Sequence, residues 1–152
     1  MKRYKLLDIT DFNRANINKS DSFTDIIYLD TGSITENMVS DTAIIHISEA
    51  PNRAQRRVAH NTIVYSMVRP RLKHYGILEF PPNNLIVSTG FITIDLKHQY
   101  RCKIDPMYLY LLITQPRITN YLANIADTAV SAYPSIQLIL RTSHHCNLNF
   151  QI

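Results

Sequence analysis

The chain has 152 residues, 45% of them hydrophobic and 18% charged, with a formal net charge of +4. That length suits a single domain with one core of its own, and the charge excess is too small for a general polycation. Its only glycines are Gly32, Gly76 and Gly90, so no loop can wrap a phosphate with successive backbone N–H groups, which excludes Walker-type and dinucleotide-binding motifs.

Along the first hundred residues, short runs rich in Ile, Val, Tyr and Thr predict strands at 4–9, 26–29, 43–47, 62–68, 76–78, 85–88 and 91–95, separated by Asn, Asp, Ser, Gly and Pro. Residues 48–58 are different. Ala50, Ala54, Gln55, Arg56 and Arg57 suit a short helical turn that Ser48 caps and whose first turn tolerates Pro51. Such a turn would set Arg53, Arg56 and Arg57 on one face, a layout suited to gripping a phosphate strand. Near residue 105 the texture changes. Asp105-Pro106 starts a helix in which Met107, Tyr108, Leu111, Leu112 and Gln115 follow the 3.6-residue period. Thr114-Gln115-Pro116 restarts a second helix that aligns Ile118, Leu122 and Ile125. Pro134 ends the helical region, and residues 148–152 read as a closing strand. The expected fold is α+β: one compact domain with a mainly antiparallel, irregular β-sheet and a C-terminal pair of short helices. Residues 1–136 form the domain proper, and 137–152 an atypical tail, read as a possible closing strand of the same domain.

Charge is unevenly distributed. Residues 1–49 carry −3 and residues 80–152 carry +2, while residues 50–79 hold six cations against Glu79 alone, or +5. The cations are Arg53, Arg56, Arg57, Arg69, Arg71 and Lys73, with His60 and His74 alongside. Five are arginine, whose planar fork can address a phosphate or a guanine edge with two hydrogen bonds. A solvated basic face is the ordinary explanation of a charge run. The near absence of acids over thirty residues, with Gln55, His74 and Tyr75 interleaved, tips the balance toward nucleic-acid contact.

Catalytic signatures are few. His144-His145-Cys146 lacks further ligands at metal-site spacing, so no metal is expected. Asp30-Thr31-Gly32-Ser33 is similar to an aspartic-protease loop but would need a second aspartate, and turn chemistry explains it. In Phe80-Pro81-Pro82-Asn83 the residue before the prolines has no acceptor oxygen for a target amine, which rules out amino-methyltransferase chemistry. There is no nucleophile elbow. Cys102 and Cys146 form neither a CxxC pair nor a disulfide framework, so a reduced, cytoplasmic protein is expected. Apolar stretches such as 109–113 and 136–140 fall far short of the ~20 residues a membrane span needs.

Several strings occur in a fixed order: Tyr28-Leu29-Asp30-Thr31-Gly32-Ser33-Ile34-Thr35, then Ser48-Glu49-Ala50-Pro51-Asn52-Arg53-Ala54-Gln55-Arg56-Arg57-Val58, then Tyr65-Ser66-Met67-Val68-Arg69-Pro70. They continue with His74-Tyr75-Gly76-Ile77, Leu85-Ile86-Val87-Ser88-Thr89-Gly90-Phe91 and Ser131-Ala132-Tyr133-Pro134-Ser135-Ile136. Together they resemble the target recognition domain of the specificity subunit of type I restriction–modification systems, over residues 6–136.

The resemblance implies a non-catalytic, sequence-specific reader of double-stranded DNA, cytoplasmic and of bacterial or archaeal origin, with no membrane role. It would read one half of a split site for a methyltransferase subunit and a restriction subunit. S-adenosylmethionine, ATP and magnesium belong to those partners, so no cofactor is expected on this chain. It assigns DNA contact to Arg53, Gln55, Arg56, Arg57, Arg69, Arg71, Lys73, His74 and Tyr75, and matches Thr31, Ser33, Ser88, Thr89 and Tyr133 as motif positions. Family subunits carry two such domains joined by long helices, whereas this sequence holds one and has no heptad run. A second recognition domain or a homodimer partner is therefore a further expected contact. The alternatives are a fragment that docks on a methyltransferase subunit through residues 107–125 with little DNA binding of its own, and a non-functional truncated subunit.

Overall fold

The computed structural model describes residues 4–18 and 20–128. Tyr133, the motif around it and the 137–152 tail lie outside the described residues.

The chain begins with a single helical turn, α1 (Leu6–Ile9), that runs into β1 (Thr10–Phe12). A strand over 4–9 is the expectation from sequence, and the departure has a local cause. Leu6 and Ile9, three apart, are both buried while Leu7 and Asp8 face out, and the Asp8 carboxylate accepts the Lys5 N–H at 3.0 Å.

There follow β2 (Asp25–Leu29), a 3₁₀ turn at Thr31–Ser33, the small hairpin of β3 (Ile34–Thr35) and β4 (Met38–Val39), and β5 (Ala43–His46). Next come β6 (Ala54–Arg57), β7 (Thr62–Ser66), a 3₁₀ turn at Pro70–Leu72, β8 (Tyr75–Leu78), β9 (Leu85–Ser88) and β10 (Phe91–Leu96). The helices α2 (Pro106–Ile113) and α3 (Pro116–Thr128) close the described chain.

The strands make two four-stranded sheets. One has the order β1-β10-β7-β8 and is antiparallel throughout; the other has the order β5-β2-β9-β6, in which only β2 and β9 run parallel. The α+β, mainly antiparallel architecture expected from sequence is thus observed, divided over two sheets. Alternation along β7 explains the layering. Ile63 and Tyr65 pack with Leu109, Tyr110, Ile113 and Leu122 of the helices, while Val64 faces Leu29, Ile34, Leu85, Val87 and Phe91 toward the second sheet. Ile26, Ala54 and Ile86 form a smaller cluster with Phe23, Ile45 and Ile47.

Two local expectations are corrected. Residues 48–58 are not a helical turn: a 3₁₀ turn covers Ile47–Glu49, His46 rather than Ser48 caps it, and β6 follows. The reason is pairing on both sides. β6 is antiparallel to β9 with an irregularity between Ala54 and Arg56, and on its other edge the Gln55 carbonyl accepts from Ile17 N–H at 2.8 Å while Arg57 N–H donates to Ala15 O at 3.0 Å. Tertiary ladders override a weak local helix preference. The buried stripe of α2 is also shifted. It consists of Leu109, Tyr110 and Ile113, and leaves Tyr108 and Leu111 exposed, because nearly every position of this helix is apolar and periodicity cannot choose its face.

Candidate nucleic-acid interface

Strand direction gathers distant loops at one rim. Because β2 and β9 are parallel, their C-terminal ends lie side by side, placing Asp30–Ser33 next to Thr89 and Gly90. β6 runs the opposite way and starts at that rim, where Thr89 N–H donates to Arg53 O at 2.8 Å. The first sheet joins the same rim. Met67 N–H donates to Gly90 O at 2.9 Å and Ser66 N–H to His74 O at 2.8 Å, so the turn from Val68 to Lys73 stands beside Thr89. The β3–β4 hairpin completes it, with Glu36 N–H donating to Lys73 O at 3.0 Å and Asn37 N–H to Tyr75 O at 2.9 Å.

Of the residues singled out from sequence, Thr31, Ser33, Arg53, Arg69, Lys73, His74 and Thr89 meet at this rim. Arg53 and Arg69 are exposed and have no acidic partner among the described residues. Arg69 and Lys73 bracket the Pro70–Leu72 turn in the left-handed region, with φ of 49° and 55°. Neither residue type favours this conformation, so the surrounding contacts impose it. Lys73 Nζ lies 2.7 Å from Glu36 Oε1, and that hydrogen bond raises the ammonium's pKa. Arg71 is turned toward α3: Nη2 contacts Asp127 Oδ2 at 2.6 Å and Asn124 Oδ1 at 3.2 Å.

Other singled-out residues stand elsewhere. Arg57 occupies the far end of β6, where Nη1 contacts Asp21 Oδ1 at 2.8 Å and the guanidinium lies 5.5 Å from the centre of the Phe23 ring. It fastens the loop that precedes β2. Arg56 is half-buried and donates to Asn16 Oδ1 at 3.3 Å. A shared face for Arg53, Arg56 and Arg57 is therefore corrected, since successive strand residues point to opposite sides. Gln55 is exposed at the β6 irregularity and bonds Asn52 O at 2.6 Å. Tyr75 and Ser88 are interior groups, not surface ones. Tyr75 stacks on Tyr65 with centroids 5.3 Å apart, and Ser88 Oγ accepts the Gly90 N–H at 3.2 Å.

Sequence reading passed over the groups that shape this rim. Glu36 and Asn37, both at positive φ, hold the segment that carries His74; the signal was an Asn-containing turn between two β-favouring pairs. Tyr28 donates to Asp30 Oδ1 at 3.2 Å, and burial is the main cause that pushes its hydroxyl pKa up. Among the described residues no group of three His, Cys, Asp or Glu side chains is placed to hold a metal ion, and no helix is long and apolar enough to cross a membrane.

The fold is an α+β domain, and known proteins share it. Over 138 residues the chain is 25% identical to the type I restriction enzyme HindI specificity subunit of Haemophilus influenzae, an overlap covering 89% of this chain and 28% of that subunit. The HsdS subunit of Thermoanaerobacter tengcongensis matches its fold with a TM-score of 0.72 at 22% identity, covering 88% of this chain and 34% of the other. A chain from a structural study of complex assembly and conformational transition in the type I R-M system matches with a TM-score of 0.57 at 21% identity, covering 86% and 35%. No family model matches. The chain is homologous to a type I specificity subunit, and sequence and fold together support a target recognition domain of such a subunit. It spans about a third of the length of these relatives.

Proposed function

We propose that this domain binds double-stranded DNA in a sequence-specific way, reading one half of a bipartite site for the methyltransferase and restriction subunits of a type I system. The observation that carries the reading is the rim itself. Four segments separated in sequence bring their motif residues together there, and Arg53 and Arg69 stand on it without acidic partners among the described residues. Phosphates fix the register, and one or two side chains reach base edges in a groove. The role is non-catalytic and cytoplasmic, with S-adenosylmethionine, ATP and magnesium carried by the partners.

Anisotropy titrations of the full chain on duplex DNA at several salt concentrations test this. With two phosphate contacts, from Arg53 and Arg69, log affinity falls with log salt at a slope of roughly −2, because Arg71 and Lys73 are already paired with Asp127 and Glu36. Arg53→Ala flattens that slope by about 1. Arg57→Ala lowers stability and leaves the slope unchanged, because its charge is already paired with Asp21. Salt-independent binding overturns the reading. Tested by itself, a single recognition domain binds weakly, since a second linked module would add an effective-concentration gain.

One observation favours a second reading. The outward face of α2 carries exposed Tyr108 and Leu111, an apolar pair suited to docking on a methyltransferase subunit. Co-purification with such a subunit, together with no duplex shift at low salt, would make that docking the principal role.

A further inference from the structure

His74 is held more firmly than its place in a surface turn would require. The main chain on either side is fastened to the β3–β4 hairpin, through Glu36 N–H to Lys73 O and Asn37 N–H to Tyr75 O, and Asn37 Oδ1 accepts the Ile77 N–H at 2.8 Å. The ring is fastened as well. Its Nδ1 lies 2.7 Å from Ile34 O and 3.1 Å from Thr35 Oγ1.

A carbonyl oxygen can only accept, so the close contact to Ile34 requires the proton on Nδ1. In the neutral ring the lone pair then resides on Nε2, the opposite nitrogen. That atom has no partner among the described residues and is open to solvent. An unconstrained histidine can offer Nε2 as either donor or acceptor by changing tautomer. Here the change would leave two lone pairs facing each other across 2.7 Å.

We propose that His74 is a specificity-determining residue: its neutral ring, locked in the Nδ1–H form by the Ile34 carbonyl, presents Nε2 as a fixed acceptor to an exocyclic amino group on a base edge. In the major groove the groups of that chemistry are N6 of adenine and N4 of cytosine, while N7 and O6 of guanine and O4 of thymine repel a second lone pair. This inference rests on the reading of the rim as the DNA-binding surface.

The test begins by selecting from random duplexes with the full chain at pH 8. Wild type, His74→Ala and His74→Asn are compared. The asparagine can still donate to Ile34 O and so keeps the turn, but it has nothing in the place of Nε2. Wild type selects adenine or cytosine at one position where both variants are indifferent. Replacing that base by its analogue without the amino group, purine for adenine or 2-pyrimidinone for cytosine, weakens wild-type binding about fivefold to tenfold and leaves the variants unaffected. A long-range nitrogen–proton spectrum of the free protein shows His74 protonated on Nδ1. A spectrum with the proton on Nε2, or a selection profile unchanged in His74→Asn, overturns the proposal alone. If wild type enriches no duplex, the DNA reading falls and this inference falls with it.

Discussion

A methyl group at Gly76 would collide with Ile34 Cδ1 and stand 2.9 Å from Asn37 Oδ1. The glycine is there for close approach: the β3–β4 hairpin lies directly on β8 at this point, and the same hairpin holds His74 and Lys73. Gly76→Ala is expected to cost about 1–3 kcal/mol, as overpacking does, read as a lowered urea midpoint with an unchanged m-value. Arg69 is the reverse case. Its φ of 49° is unfavourable for any residue with a Cβ, so Arg69→Gly is expected to hold or raise stability by up to about 1 kcal/mol while weakening duplex binding. A variant that loses both would show that the arginine side chain is structural. At this scale the sequence singles out Arg53, Arg69 and His74, which the structure sets at the rim, together with Tyr75 and Ser88, which it buries, because an aromatic or a hydroxyl in a motif has the same letter whether it is buried or exposed.

Elements were legible where their causes are local. β9 was read at its observed bounds, because Leu85-Ile86-Val87-Ser88 is an apolar run between an Asn pair and Thr89-Gly90. The start of α2 was read from Asp105-Pro106, and the Asp105 carboxylate does accept the Met107 N–H, at 2.7 Å. Asp105→Ala is therefore expected to cost about 1 kcal/mol, visible as a drop in melting temperature. β6 was misread because nothing within residues 48–58 reports the strands that flank it. Its ladder partners are β9, some thirty residues later, and the 15–17 segment, some forty earlier. An all-apolar helix such as α2 likewise gives its length and start but not its buried face.

In the whole molecule, the first sheet lies between the helices and the second sheet, and its helix side is rich in tyrosine. Tyr75 stacks on Tyr65 and meets Tyr110 edge-on at 6.1 Å. Burial, more than the neighbouring Tyr75 and Glu36, pushes the Tyr110 hydroxyl up to about 12, and burial also raises that of Tyr75. Their sign is that of acids kept neutral by folding. The stability they contribute is complete below the ordinary tyrosine value near 10 and is lost as pH rises from there toward 12. Melting temperatures measured between pH 8 and 12 should thus stay level at first and fall at the top of the range, with tyrosinate absorbance from Tyr110 appearing at unfolding. Early ionisation of every tyrosine near pH 10 in the folded protein would contradict this.

From the sequence alone came the α+β class, most strand positions, both C-terminal helices, and a +5 segment inside a chain of net +4. These follow from periodicity, capping and composition, which act over a few residues. Tertiary structure decided which of the six cations in that segment remain available. Asp21 takes Arg57 across 36 positions, Glu36 takes Lys73 across 37, Asn16 takes Arg56 across 40, and Asp127 takes Arg71 across 56. Arg53 and Arg69 are left at a rim that exists only because β2 and β9 run parallel. Ion pairing and strand direction depend on how distant loops close on one another, and no window of neighbouring residues carries that information.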